Sequence, residues 1–282
     1  WIFRYYTGEN YTGGGYTFLC KFKDGKVVVS GDVAEASATA RSSYDIVKDR
    51  GPVLTFNTYN EIFHSLGTPT QTSVDGGQGD YEFIIVKTTN DSIYLKGKKW
   101  GNNMVMTRMP ENESWENYLK EVSKVDTTML YNNKVMVGND SVAYASVDYE
   151  GRRLTMETAT GDVETPYYVT PEGIHLQTPI NVNGQKIENL KFNAQTNELV
   201  DEKAQAVKLA GFIPQGYKPI KFWEGKWQLV YATSGNENPD YAYYNMTLGA
   251  YNAGNLLSTI KVDGGKYNIW FTYNRRNGSL SL

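Results

Sequence analysis

Hydrophobic and polar positions alternate with period two along most of this chain, the mark of strands that bury one face. Before residue 113 the runs WIFRYY, YTFLCKF, KVVVSG, SYDIV, VLTFNTY, YEFIIVKT, SIYLKGK and MVMTRM stand out, each bounded by Gly, Asp, Asn or Pro. Turns such as Lys23-Asp24-Gly25-Lys26 and Thr89-Asn90-Asp91-Ser92 join neighbouring runs, which predicts an antiparallel sandwich or a closed barrel. ENESWENYLKEVSKV breaks the alternation. There Trp115, Tyr118, Leu119, Val122 and Val125 recur at helical spacing, with Ser114 or Asn112 as cap and Asp126-Thr127-Thr128 following. One helix is therefore expected near 113–125, as a lid or connector between two β domains.

From Met129 the strand pattern resumes through KVMVG, SVAYASVDY, RRLTMETA, PYYVT, GIHLQTPI and IENLKFN. Tyr149-Glu150-Gly151-Arg152 and Val182-Asn183-Gly184-Gln185 read as hairpin turns, the second carrying the strong Asn-Gly signal. A more polar stretch, 195–205, follows. Beyond it KWQLVYATSG resembles WIFRYYTGEN, YAYYNMTLG resembles GYTFLCKF, and YNIWFTYNRRNGSLSL parallels SYDIVKDRGPVLTF, as if a third unit started near Trp223. The expected architecture is all-β, mainly antiparallel, with lipocalin-like barrel or sandwich domains. Its parts are 1–112, a connecting helix at 113–128, a second β domain at 129–222 and a repeat-like unit at 223–282.

Composition narrows the classes. A chain of 282 residues buries enough surface to fold without a metal or disulfide staple. The single cysteine, Cys20, alternates with Tyr16, Phe18 and Phe22, so it reads as a buried small hydrophobe. A net charge of −3 gives no broad basic field, which argues against nucleic acid as a partner. No apolar run reaches the roughly 18 residues of a helical membrane span. The chain opens without Met and both ends fall inside strand patterns. It therefore reads as a fragment or processed chain, with any leader or lipid anchor outside it.

Candidate chemistry is sparse. His64, His175 and Cys20 lie in separate segments without zinc-ligand spacing, and no cofactor is called for. Within GPVLTFNTYNEIFH, Glu61 and His64 stand one helical turn apart, but neither a nucleophile nor an orienting residue accompanies them. The segment is expected to close a barrel or sandwich end, with Phe63 as plug and His64 satisfying buried carbonyls. His175 reads as an outward-facing strand residue. Asp75-Gly76-Gly77-Gln78-Gly79-Asp80 reads as a loop leading into a strand, with calcium the lesser alternative. Asn10 to Gly15 reads as a glycine hairpin. No catalytic constellation emerges.

The chain is rich in aromatics, with 22 Tyr, 6 Trp and 10 Phe, which suits covered sheets or a surface that stacks on sugar rings or a protein partner. Tyr5, Tyr6, Tyr11, Tyr241, Tyr243, Tyr244 and Tyr251 are the candidate binding residues. The stretches GGGYTFLCKFKDGKV, SSYDIV, GPVLTFNTYNEIFH, GQGDYEFIIV, SIYLKGKKWGNNMVMTRM and YYVTPEGIHLQTPINVNGQ, in order over most of residues 1–200, resemble a Bacteroidetes family of secreted lipoproteins, a domain of unknown function numbered 4302. The resemblance implies an exported protein, outer-membrane anchored through an N-terminal lipid beyond this chain and often encoded near nutrient-uptake systems. It implies no catalytic or binding residue. The function expected is a non-enzymatic envelope lipoprotein accessory to binding or uptake of glycan or peptide nutrients, with outer-membrane uptake proteins as partners. A hydrolase with an unidentified carboxylate pair and a structural component of an envelope complex are the alternatives.

Overall fold

Strand pairing starts at once: β1 (Ile2–Tyr6) pairs with β2 (Gly15–Lys23). Antiparallel neighbours then follow in chain order through β3 (Lys26–Gly31), β4 (Ala40–Lys48), β5 (Pro52–Phe56), β6 (Glu82–Thr88), β7 (Ser92–Gly97) and β8 (Asn103–Thr107). β8 returns to β1, setting Ile2 opposite Thr107, and closes a barrel rather than a sandwich. Closure removes the open edges a sheet would otherwise present. This computed structural model describes all residues except 50, 71, 72, 159, 233–240, 253, 254, 263, 264 and 275, and only the backbone at 231, 232, 251, 252, 261 and 262.

Period two sends Phe3, Tyr5, Phe18, Cys20, Val27, Val29, Phe83, Leu95 and Met106 into the first barrel. Lys21, Lys23, Lys26 and Lys96 project outward into solvent. Apolar inside and charged outside is the inverse of a lipid-facing barrel. Burial pushes the Cys20 thiol up to about 12, so it stays a protonated packing group. Asp24 (φ 49°) and Gly25 (φ 68°) make the β2–β3 turn left-handed at both central positions, as tight hairpins require.

The long β5–β6 connection closes one end of this barrel. Its short 3-10 segment Phe63–Leu66 drives Phe63 into the core, where the ring stacks on Phe56 at 3.9 Å. Asn60 holds that turn. Its Oδ1 accepts from Ile62 N (3.2 Å) and Phe63 N (3.0 Å), and its Nδ2 donates to Ala40 O (3.3 Å) and Ser42 Oγ (3.1 Å). The buried polar groups are thus satisfied by Asn60, where the sequence suggested His64.

Helix α1 (Trp115–Thr128) starts where Ser114 Oγ accepts from Asn117 N at 3.3 Å. A second closed barrel follows, built from β9 (Asn132–Val137), β10 (Asp140–Asp148), β11 (Arg153–Met156), β12 (Val163–Thr170), β13 (Gly173–Val182), β14 (Gln185–Asn193), β15 (Glu198–Asp201) and β16 (Val207–Gly211). β16 closes it on β9, with Leu209 opposite Val135. The polar stretch 195–205 therefore carries a strand. β15 and β16 give Leu199, Val207 and Leu209 to the core but are too short to show a period. Helix α1 is core as well as connector. Its Leu119 packs on Ile2, Leu19 and Met109 of the first barrel, whereas Val122 and Val125 join the interior cluster of the second.

Residues 213–282 form a separate unit: a helical turn Ile220–Trp223, then a meander of β17 (Gly225–Ala232), β18 (Tyr241–Asn252), β19 (Asn255–Val262), β20 (Gly265–Asn274) and β21 (Ser279–Ser281). Leu248, Leu256 and Phe271 form its core, with Trp223 and Trp227 packed against them. The three echoes noted in sequence fall on β1 and β17, β2 and β18, and the pairs β4–β5 and β20–β21. Similar segments hold the same ordinal place in each meander.

Candidate functional site

The outer face of β1 and β2 is covered by α1 and the second barrel. Pairing sets Ile2 opposite Leu19, Arg4 opposite Thr17 and Tyr6 opposite Gly15 on that face. Gly15 is required there, because a Cβ would lie 2.8 Å from the carbonyl oxygen of Tyr167. Thr17 Oγ1 donates across the seam to Val169 O at 3.1 Å. Arg152, left-handed at φ 50°, fastens the other side. Its guanidinium donates to Asp32 (2.6 Å), Asp126 (3.2 Å) and Gly15 O (3.1 Å), and lies over the Tyr16 ring. Burial works against its charge, but Asp32 and Asp126 outweigh that and raise its pKa.

Beside this seam opens a cleft of about 450 Å³ walled by both barrels and α1. One row of side chains crosses it. Tyr168 on β12 is the direct partner of His175 on β13, with the rings stacked at 4.7 Å. His175 in turn opposes Asn189 on β14, and Nδ1 lies 2.6 Å from Asn189 Oδ1. In the neutral ring that contact puts the hydrogen on Nδ1, facing the amide oxygen, and Nε2 is then the acceptor. Arg4 extends the row from the first barrel, its guanidinium 4.7 Å from the Tyr168 centroid. It donates to Thr17 Oγ1 and Tyr118 Oη, both at 2.7 Å. Burial raises the Tyr168 pKa, so its hydroxyl stays protonated. At the rim Lys191 joins Glu172 (3.2 Å) and Glu202 (3.3 Å).

A family model, described as a domain of unknown function, DUF4302, matches residues 1–194. The chain belongs to the DUF4302 family. The DUF4302 match spans the first barrel, α1 and the second barrel through β14, so Arg4, Tyr118, Tyr168, His175 and Asn189 all fall within it. No curated protein matches the chain.

Three of the tyrosines singled out in sequence lie in the DUF4302 region. Tyr5 is an interior core residue whose hydroxyl donates to Asp80 O at 2.7 Å, so its ring offers no ligand face. Tyr6 points outward, but the second barrel buries it. It meets Tyr11 edge-on at 5.3 Å and Tyr168 at 6.1 Å, which makes it backing for the cleft wall. The others lie in the separate unit beyond the DUF4302 match. Tyr241 and Tyr243 are 55% and 60% exposed on one face of β18, Tyr244 is half-buried on the opposite face, and the side chain of Tyr251 lies outside the described residues. Asn245, on the face of Tyr241 and Tyr243, lines an open trough of about 920 Å³ with Gln228 and Thr259. Of the cleft residues, sequence reasoning weighed His175 for chemistry and placed Tyr118 only on the helix.

Glu61 is exposed, and among the described residues no hydrogen bond joins it to His64. His64 is half-buried between the rings of Tyr59 and Tyr81, with Nδ1 3.1 Å from Asn60 N. Asp75 pairs with Lys99 at 2.7 Å, and Asp80 accepts from the backbone of Lys99 and Trp100. Burial lowers the His64 pKa below its unfolded value of about 6.5. The unfolded state therefore binds the proton more readily. This stabilising contribution is complete above about pH 6.5 and is lost as pH falls through the folded value. Thermal melts of His64→Gln should fall less steeply than wild type between about pH 7.5 and 5. Parallel curves would show that His64 plays no part in acid stability.

Proposed function

We propose that this chain is a non-enzymatic binding protein of the cell envelope, exported and lipid-anchored, which takes glycan or peptide nutrients for a neighbouring outer-membrane uptake system. The observation that carries this reading is the row Arg4–Tyr168–His175–Asn189. It joins flat ring faces to directed donors and acceptors in a concave site, the combination by which sugar and peptide groups are recognised. Each member is fixed by a neighbour: Arg4 by two hydroxyls, His175 by Asn189 and by the Tyr168 ring. A site fixed beforehand loses little entropy on binding. The exposed Tyr241 and Tyr243 beside the trough of the C-terminal unit offer a second stacking face.

A glycoside hydrolase would need one carboxylic acid to deliver a proton and another to act as base or nucleophile. The rim pair Glu172 and Glu202 instead shares the single ammonium of Lys191. That arrangement favours binding over cleavage.

The test is a glycan and peptide array on the intact chain, with Tyr168→Ala and His175→Ala beside wild type. Hits are expected at micromolar to millimolar concentration, are expected to disappear in both variants and should be recovered uncleaved. Absence of any hit at millimolar concentration would sink the nutrient-binding reading, and cleaved products would revive the hydrolase.

A further inference from the structure

Two arginines bridge the elements that meet at the seam, and their charges are treated differently. Arg152 lies between two aspartates. Arg4 is half-buried and lines the cleft, yet the ion pairs of the described residues give it no carboxylate. Its hydrogen-bond partners are two neutral hydroxyls, and its guanidinium lies over the Tyr168 ring. A partly desolvated cation with no carboxylate in ion-pair contact is costly to keep, unless something that binds there supplies one.

The hydroxyls constrain what that something is. Thr17 already gives its hydrogen to Val169 O, so it serves Arg4 purely as an acceptor. Tyr118 accepts from Arg4 and keeps its own hydrogen for another acceptor. A guanidinium has five N–H donors, and these bonds use two. The guanidinium lies against the Tyr168 ring, and its remaining donors lie in its own plane, where a planar carboxylate is gripped by two parallel bonds.

We infer that the cleft ligand carries a carboxylate and that Arg4 is its anchor, with Tyr118 Oη donating to the same group. This rests on the binding reading and narrows it to acidic sugars or peptides with a free carboxyl end. Recognition is local: Glu172 and Glu202 are held at the rim by Lys191, and Glu113 is exposed, so the cleft as a whole has no positive field.

The test titrates the intact chain with four probes: a galacturonate oligosaccharide, its methyl ester, a tetrapeptide with a free carboxyl terminus and the same tetrapeptide as amide. One acid is expected to bind at least about tenfold tighter than its neutral counterpart, and which one identifies the source of the carboxylate. Arg4→Gln should weaken that acid by about tenfold to a hundredfold and erase the discrimination, whereas Arg4→Lys, which keeps charge without the fork, should fall between. The inference is overturned if ester or amide binds as tightly as the acid, or if Arg4→Gln still discriminates. Neutral probes that bind, and are lost in His175→Ala, would leave the binding reading standing without the carboxylate. No binding by any of the four probes at millimolar concentration would overturn the carboxylate, and an empty glycan and peptide array beside it would remove the binding reading as well.

Discussion

Arg152→Ala is expected to lower the stability of the two-barrel unit by about 3–5 kcal/mol, because it strands the aspartates that the guanidinium neutralises. The Asp32 side chain is only 3% exposed and takes the shorter contact, at 2.6 Å. With the arginine gone, that carboxylate keeps its burial and loses its counter-ion. The bond to Gly15 O disappears as well, at a point where the two backbones approach closely. Arg152→Lys should recover only part of the loss, because one ammonium cannot reach two aspartates and a carbonyl with the geometry of the fork. Combining Arg152→Met with Asp32→Asn should recover more, since it removes the two most buried charges together and leaves only the less buried Asp126 charged. Chemical denaturation followed by tryptophan fluorescence and circular dichroism measures these differences. A loss below about 1 kcal/mol would mean that the seam is held by apolar packing and not by this charge cluster.

The same seam shows where sequence reasoning reaches and where it stops. Period two placed the eight strands of the first barrel, and the spacing of Leu119, Val122 and Val125 placed the helix, because both signals are local. The charged partners of Arg152 lie 120 and 26 residues away in the chain, and nothing near residue 152 announces them. Within the cleft the pair Tyr168–His175 was legible in principle. The tight turn that sets Thr170 opposite Gly173 also sets Tyr168 opposite His175. The next step of the row was not. Counting back from the Asn183-Gly184 hairpin, where Val182 opposes Gln185, sets Thr178 opposite Asn189. An irregularity between His175 and Ile180 shifts the register and brings Asn189 to His175 instead. Arg4 was hidden differently. Its alternation with Phe3 and Tyr5 marks it as outward, which normally means solvent, and only the second barrel turns that face into a cleft wall. Tyr5 and Tyr6 make the same point. They were grouped as neighbours in sequence, but alternation sends one to the core and the other to the seam.

Phe63→Ala should cost about 3–5 kcal/mol in the same measurement. The ring is 1% exposed, stacks on Phe56 at 3.9 Å and lies within 6.0 Å of Phe3, Tyr5, Phe18 and Phe83. Those neighbours belong to strands of a closed barrel, whose hydrogen-bonded circumference cannot contract to fill the gap. The hole would be walled by aromatic faces. The one hydroxyl among them, on Tyr5, is already bonded to Asp80 O, so water entering the cavity would find little to bind and would recover little of the loss. The neighbouring His64→Ala provides the contrast, with a smaller loss expected, because that ring is half-exposed and Asn60 keeps its own bonds to Ile62, Phe63, Ala40 and Ser42. If His64→Ala proved the more damaging of the two, the β5–β6 connection would be held by its polar turn rather than by the plug. GPVLTFNTYNEIFH would then have to be understood through its histidine after all.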